Sequence, residues 1–95
     1  MVVNVVMIKL KERTDDNIAT LKKTLLEMKG NIDQLSDITV KENIGSSAAA
    51  FDVLMTTKFD SIDKFNEYLS HPYHIEVGKY VQNVREQAAS VCYEE

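Results

Sequence analysis

Both histidines of this 95-residue chain, His71 and His74, stand on either side of its only proline, Pro72. Histidine is the side chain whose unperturbed pKa, about 6.5, lies nearest to neutral pH, so it can accept or donate a proton there. Tyr68 precedes His71 by three residues and adds a phenol that can donate or accept a hydrogen bond. The segment therefore offers a candidate general base and a group that could bind an oxygen atom.

A helix should carry His74, because apolar residues follow it at helical spacing. Val77 and Val81 lie three and seven residues further on, and Pro72 suits the first turn of a helix. His74 then falls on the inward stripe of that helix. Two interpretations fit this position: a general base or pocket donor that faces a sheet, and a histidine hydrogen-bonded for structure at a helix start.

The second histidine, His71, is a candidate ligand-binding residue, and it could alternatively cap the helix at the junction. The spacing of His71 and His74 would also let them share a metal ion, but two nitrogens are too few ligands without nearby carboxylates or a thiolate. The chain has one cysteine, and it has no glycine-rich phosphate loop. We predict no metal and no organic cofactor.

Asn4 is a polar residue within an apolar run at the start of the chain. A buried amide needs a hydrogen-bond partner, so Asn4 either bonds to neighbouring backbone or lines a pocket. If the strand face that carries Asn4, Val6 and Ile8 is the helix side, Asn4 lies near His74. An imidazole, a phenol and an amide would then share a pocket with apolar walls, which suits a flat apolar ligand with one or two oxygens.

Hydrophobic patterns predict the element order that positions these groups. The elements are a strand over Val2–Leu10, a helix capped by Thr14, strands over 38–44 and 49–59, a helix capped at Asp60-Ser61, the helix from Pro72, and a strand over 88–94. This is the order of the α+β ferredoxin-like fold, β-α-β-β-α-β, with helices on one face of a four-stranded antiparallel sheet. We also expect Ile44 to share a strand face with Ile38 and Val40, Asp52 to be a charge at the rim, and Cys92 to be a small core filler.

Composition limits the class of protein. Ninety-five residues, 44% of them apolar, are enough for one domain over 1–95 and leave no room for a second core. The net charge of −4 disfavours nucleic acid as a partner. The first apolar run is too short to span a bilayer and lacks the features of a signal peptide. We therefore predict no membrane partner and a cytoplasmic location.

The first and third strands are apolar on both faces. Helices on one face of the sheet would leave the other face as a large exposed apolar patch. The simplest cover for that patch is the same face of a second copy, related by a two-fold axis, so we predict a homodimer.

Several segments in order along the chain resemble the stress-responsive A/B barrel (Dabb) family. They are the first strand, Gly30-x-Ile32, Phe51-Asp52-Val53, Phe59-Asp60-Ser61, Tyr68, His71-Pro72-x-His74 and the final Tyr93-Glu94. The resemblance implies a dimeric α/β barrel in which two sheets face each other with the helices outside.

The resemblance also implies candidate catalytic residues. Some plant members of the family are polyketide cyclases that use a first-strand histidine, the tyrosine of the second helix, and the second histidine of His-Pro-x-His. Tyr68 and His74 match two of these positions, and Asn4 stands where many members carry the first-strand histidine. An amide cannot accept a proton at neutral pH.

Two function classes follow. The first, which the asparagine at position 4 favours, is a stress-associated dimer or one that binds a small hydrophobic ligand. The second is an enzyme, such as a polyketide cyclase or a related lyase or isomerase, in which His74 is the general base and Tyr68 positions an oxygen. The enzyme requires a cavity that reaches both His74 and Tyr68. A structural dimer would instead fill that space with side chains.

Overall fold

The computed structural model describes all residues 1–95, and it contains the seven predicted elements. They are β1 (Val2–Leu10), α1 (Asp15–Leu26), β2 (Asp37–Glu42), β3 (Val53–Phe59), α2 (Ile62–Ser70), α3 (Pro72–Val84) and β4 (Arg85–Glu94). The strands form one sheet in the order β2-β3-β1-β4, and every neighbouring pair is antiparallel. The predicted ferredoxin-like fold is confirmed. No helix has the length and apolar character needed to cross a membrane.

Local sequence signals set the helix ends. The Thr14 hydroxyl accepts a hydrogen bond from the backbone N–H of Asn17 at 3.1 Å, and the Ser61 hydroxyl accepts one from Lys64 at 3.2 Å. Each bond satisfies one of the N–H groups that a helix start leaves without a partner. Gly30, just beyond α1, has a φ of +94°, a conformation that glycine adopts without steric cost. These caps confirm the predicted starts of α1 and α2.

The core lies between the sheet and the helices. β1 turns Val2, Asn4, Ile8 and Leu10 towards the helices, and all four are buried. At one end of the core, the ring of Phe59 on β3 packs against the ring of Tyr68 on α2, with their centroids 4.8 Å apart. Such tilted aromatic pairs stabilise a core beyond the area that they bury.

The opposite face of the sheet is only partly covered within the chain. It carries Val3, Val5 and Met7 of β1, with Leu54 of β3 and Val91 of β4 alongside, and of these only Val3 is buried. Met7, Leu54 and Val91 are exposed, and Val91 reaches 65%. The expectation of two apolar faces is met for β1, whereas the outward face of β3 carries Leu54 beside Thr56 and Lys58. Exposed apolar side chains grouped on one face in this way indicate an interaction surface.

The connection between β2 and β3 differs from the prediction. β2 ends at Glu42, so Ile44 lies outside the strand and is fully exposed, whereas Ile38 and Val40, with which it was predicted to share a face, are buried. The Asn43 side chain explains the difference, because its Nδ2 donates to the Phe51 carbonyl at 2.6 Å and its Oδ1 accepts from the Gly45 N–H at 2.7 Å. This local turn overrides the strand preference of the β-branched Ile44.

Asp52 is buried, so its expected place as a rim charge is wrong. One carboxylate oxygen accepts from the Leu10 backbone N–H at 2.7 Å, and the other accepts from Arg13 at 2.6 Å. Leu10 lies beyond the last β1–β3 pair, Ile8 with Val53, so β3 offers no backbone partner to its N–H. The Asp52 side chain supplies that missing acceptor.

Cys92 is exposed, so its expected role as a core filler is also wrong. It lies in β4 opposite Asn4 of β1. β4 is an edge strand that packs mainly against β1, and no helix makes comparable contact with it.

Candidate functional site

A cavity of about 230 Å³ opens between the sheet and the helices. Three of the four predicted site residues line it: Asn4 from β1, Tyr68 from α2 and His74 from α3. The rest of the lining is Val6, Ile8, Leu25, Met28, Met55, Val77, Gly78, Val81, Gln82 and Arg85. Because an apolar cavity of about 150 Å³ can hold benzene, this one has room for a substituted single ring.

His71 does not line the cavity. Its Nδ1 accepts a hydrogen bond from the backbone N–H of Tyr73 at 3.0 Å, and His71 is the N-cap of α3. This geometry is the capping arrangement that was the alternative to ligand binding. A metal site at the junction would need further ligands, and no group of three or more His, Cys, Asp or Glu side chains is placed to hold an ion.

The imidazole of His74 is held in one tautomer. Its Nδ1 lies 3.1 Å from the carbonyl oxygen of Leu69, near the end of α2. A carbonyl can only accept, so Nδ1 carries the proton of the neutral ring and Nε2 keeps a free lone pair. Nε2 makes no hydrogen bond within the chain.

The protonation state of His74 suits a base. Burial lowers the pKa of His74 below its usual value, and the charge of His71 lowers it further, while the hydrogen bond to Leu69 acts in the opposite direction. The ring is therefore neutral at neutral pH, with Nε2 able to take a proton.

Tyr68 is buried beside His74, with the two ring centroids 4.4 Å apart. Burial raises the pKa of Tyr68 to about 12, so the phenol stays protonated and is a donor. Its hydroxyl reaches only the Met28 sulfur, at 3.7 Å. Sulfur is a weak acceptor, so a ligand oxygen would be a better partner for this hydroxyl.

The side-chain amide of Asn4 has no partner in the chain. The residue is 8% exposed, and only its backbone carbonyl is engaged, accepting from the Thr57 hydroxyl at 3.3 Å. The one fully buried side-chain polar atom without a partner is Oε1 of Gln34, so the Asn4 amide is accessible from the cavity. A water molecule or a ligand oxygen in the cavity can therefore hydrogen-bond to it.

Two further residues that line the cavity, Gly78 and Arg85, were not predicted from the sequence. Gly78 lies in the middle of α3, where glycine costs about 1 kcal/mol relative to alanine. A Cβ there would meet nothing within 4 Å, so the missing side chain leaves the cavity open. The sequence does contain a signal for Gly78, because a glycine inside a helical pattern indicates a position where a side chain is disfavoured. Arg85 had no such signal, because its position depends on where α3 ends and β4 begins.

The family model of the Stress responsive A/B Barrel Domain matches residues 2–94. The chain therefore belongs to the stress responsive A/B barrel (Dabb) family, as the arrangement of His71-Pro72-x-His74 and Tyr68 indicated. No curated protein matches the sequence.

Solved structures share the fold over almost the whole chain. A dimeric protein of unknown function from Bacteroides fragilis is 23% identical with a TM-score of 0.78, covering 99% of this chain and 95% of its own. A dimeric ferredoxin-like protein of unknown function from Thermobifida fusca is 17% identical with a TM-score of 0.85, covering 99% and 90%. The hydroxynitrile lyase of Passiflora edulis is 14% identical with a TM-score of 0.85, covering 97% and 90%. At these identities the similarity concerns the fold.

Proposed function

We propose that this protein is a homodimer that binds a small, mainly apolar molecule in the cavity between its sheet and helices. Asn4, Tyr68 and His74 would hold the oxygen atoms of that molecule. The observation that carries the proposal is the cavity itself, which is lined by the free amide of Asn4, the Tyr68 hydroxyl that reaches only sulfur, and the free Nε2 of His74. A chain that used this space only for packing would fill it with side chains.

The chemistry of the cavity supports this class of ligand. Its walls are mostly aliphatic side chains and methionines, and its hydrogen-bonding groups are few. Ligand sites generally combine an apolar lining with a small number of placed polar groups. The phenol of Tyr68 and the amide of Asn4 can donate to an oxygen, while Nε2 of His74 can accept from a hydroxyl.

Dimerisation belongs to the proposal because the uncovered sheet face needs a cover. Val5, Met7, Leu54 and Val91 share that face, and structural neighbours from two bacteria are described as dimeric. A second copy related by a two-fold axis would bury the same apolar face on both sides. The absence of a cofactor and a cytoplasmic location stay predictions.

Substitution of Gly78 tests the cavity directly. Gly78→Leu should abolish binding of benzyl alcohol, a neutral one-ring probe, because the added side chain enters the open space of the cavity. The same variant should have an unchanged or higher free energy of unfolding. Gly78→Ala is the matched control, since it should raise that free energy by about 0.4–1 kcal/mol and keep binding. Titrations followed by amide chemical shifts measure the affinity, and urea unfolding measures the stability. Unchanged binding by Gly78→Leu, or no binding by the wild type, would contradict the proposal.

The alternative is an enzyme of the polyketide-cyclase, lyase or isomerase type with His74 as general base. The free Nε2 of a neutral imidazole beside a protonated phenol favours it. In a lyase reaction on a hydroxynitrile, Nε2 would take the hydroxyl proton while Tyr68 donates to that oxygen. The bond between the hydroxyl-bearing carbon and the nitrile carbon would break, and its electron pair would leave with cyanide. The protonated Nε2 of His74 would then give its proton to cyanide, which forms hydrogen cyanide.

Mandelonitrile cleavage tests this alternative through His74. Wild-type kcat/KM should fall with decreasing pH, with a midpoint below about 6.5, because the lowered pKa of His74 keeps the base neutral to more acidic pH than in a free histidine. His74→Ala should lose turnover while keeping the fold and the dimer. Release of benzaldehyde is followed by absorbance against the uncatalysed rate. If wild type does not exceed that rate, or if His74→Ala mainly lowers the melting temperature, the lyase reaction is excluded.

A further inference from the structure

Arg85, the first residue of β4, lines the cavity with its side chain partly buried. The ion pairs of the chain use Lys9, Arg13, Lys58 and Lys79 as cations, and none uses Arg85. A guanidinium has five N–H donors in a fixed planar fork and is always charged. None of the N–H groups of the Arg85 side chain donates a hydrogen bond to another group of this chain.

The charge of Arg85 is unbalanced inside the cavity. The chain carries 15 acidic and 11 basic residues, yet none of the acids lines this space. His74 adds no positive charge at neutral pH, because burial lowers its pKa. The cavity of an acidic protein is therefore locally cationic, and in such an apolar site a charge interacts more strongly than in water.

We infer that the ligand carries one carboxylate, held by Arg85, on the apolar ring that fills the cavity. This inference rests on the proposed function. A carboxylate matches the guanidinium fork with two parallel hydrogen bonds. One cation balances one negative charge, whereas a phosphate dianion would carry a second negative charge for which this lining has no cation. The cavity volume, about 230 Å³, also fits a single ring with a short substituent.

A matched pair of probes isolates the charge. Benzoate and benzamide have nearly the same size and shape, but only benzoate is anionic at neutral pH. We expect the wild-type homodimer to bind benzoate about tenfold more tightly than benzamide, a difference of about 1.4 kcal/mol. That value lies near the low end for a charge-assisted hydrogen bond, because Arg85 is only partly buried.

Variants then assign the preference to Arg85. Arg85→Gln should lower the benzoate preference to less than about twofold and leave the benzamide affinity unchanged, since glutamine keeps polarity and removes charge. Arg85→Lys should keep part of the preference, because it retains the charge without the fork. Lys64→Gln removes one positive charge from an exposed position on α2 outside the cavity and should leave the preference intact.

Each outcome of these titrations is decisive. Equal binding of benzoate and benzamide by the wild type, or an unchanged preference in Arg85→Gln, overturns the carboxylate inference and leaves the proposed function standing. Displacement of benzoate by an equal concentration of inorganic phosphate overturns the assignment to a carboxylate. If neither ring compound shifts the resonances of cavity residues, both the inference and the proposed function fail.

Discussion

Replacing Val5 with aspartate should convert the proposed homodimer into a folded monomer. Val5 lies in the middle of β1 on the face away from the helices, between Thr56 of β3 and Val91 of β4. In a two-fold interface both copies would bring a carboxylate into the same apolar contact. An unpaired buried charge costs about 3–5 kcal/mol. The dissociation constant should therefore rise by more than about a hundredfold.

A second variant separates the interface from the fold. Val91 is 65% exposed in the single chain, so Val91→Asp should cost the monomer little and weaken the dimer strongly. Ile75→Asp is the matched control, because Ile75 is 46% exposed on α3, on the other side of the molecule. Sedimentation velocity across the micromolar range measures the three variants and the wild type. A wild type that sediments as a monomer, or a dimer that survives both sheet-face changes, would show that this face is not the interface.

Replacing Asp52 with alanine should lower the free energy of unfolding by about 1–3 kcal/mol. The change removes the acceptor of the buried Leu10 N–H, and a buried donor without a partner costs about 1–3 kcal/mol. The lost pair with Arg13 adds little, because the Arg13 side chain is 41% exposed and regains water. The end of the β1–β3 ladder should loosen as a result.

Two controls separate these contributions. Asp52→Asn keeps an acceptor for the Leu10 N–H and should cost less than the alanine variant. Glu42→Ala removes the other acid near Arg13, in an exposed pair at 3.8 Å, and should cost less than about 1 kcal/mol. Urea unfolding at one fixed protein concentration compares them, since the proposed dimerisation would make stability depend on concentration. Equal losses for Asp52→Ala and Glu42→Ala would mean that the Leu10 bond contributes nothing.

Local signals determined the elements of this fold. The hydroxyls of Thr14 and Ser61 cap their helices, and Pro72 begins α3, because caps and first turns depend on residues within one turn of each other. The two-residue period of Val2–Leu10 predicted a strand with two apolar faces, and the element order then restricted the topology. The inward position of His74 also followed from spacing along one helix.

The tertiary structure alone decided what those elements enclose. The register of β1 with β3 and β4 assigns Asn4 to the helix side and Val5 to the uncovered face, a choice that the sequence pattern left open because both faces are apolar. The burial of Asp52 depends on the hydrogen bonds that its carboxylate accepts from Leu10 and Arg13, which are 42 and 39 residues away in the chain. The cavity exists because α3 crosses the sheet with Gly78 over open space and Arg85 at the turn into β4. Such placements arise from contacts between residues far apart in the chain, and no local period or propensity encodes them.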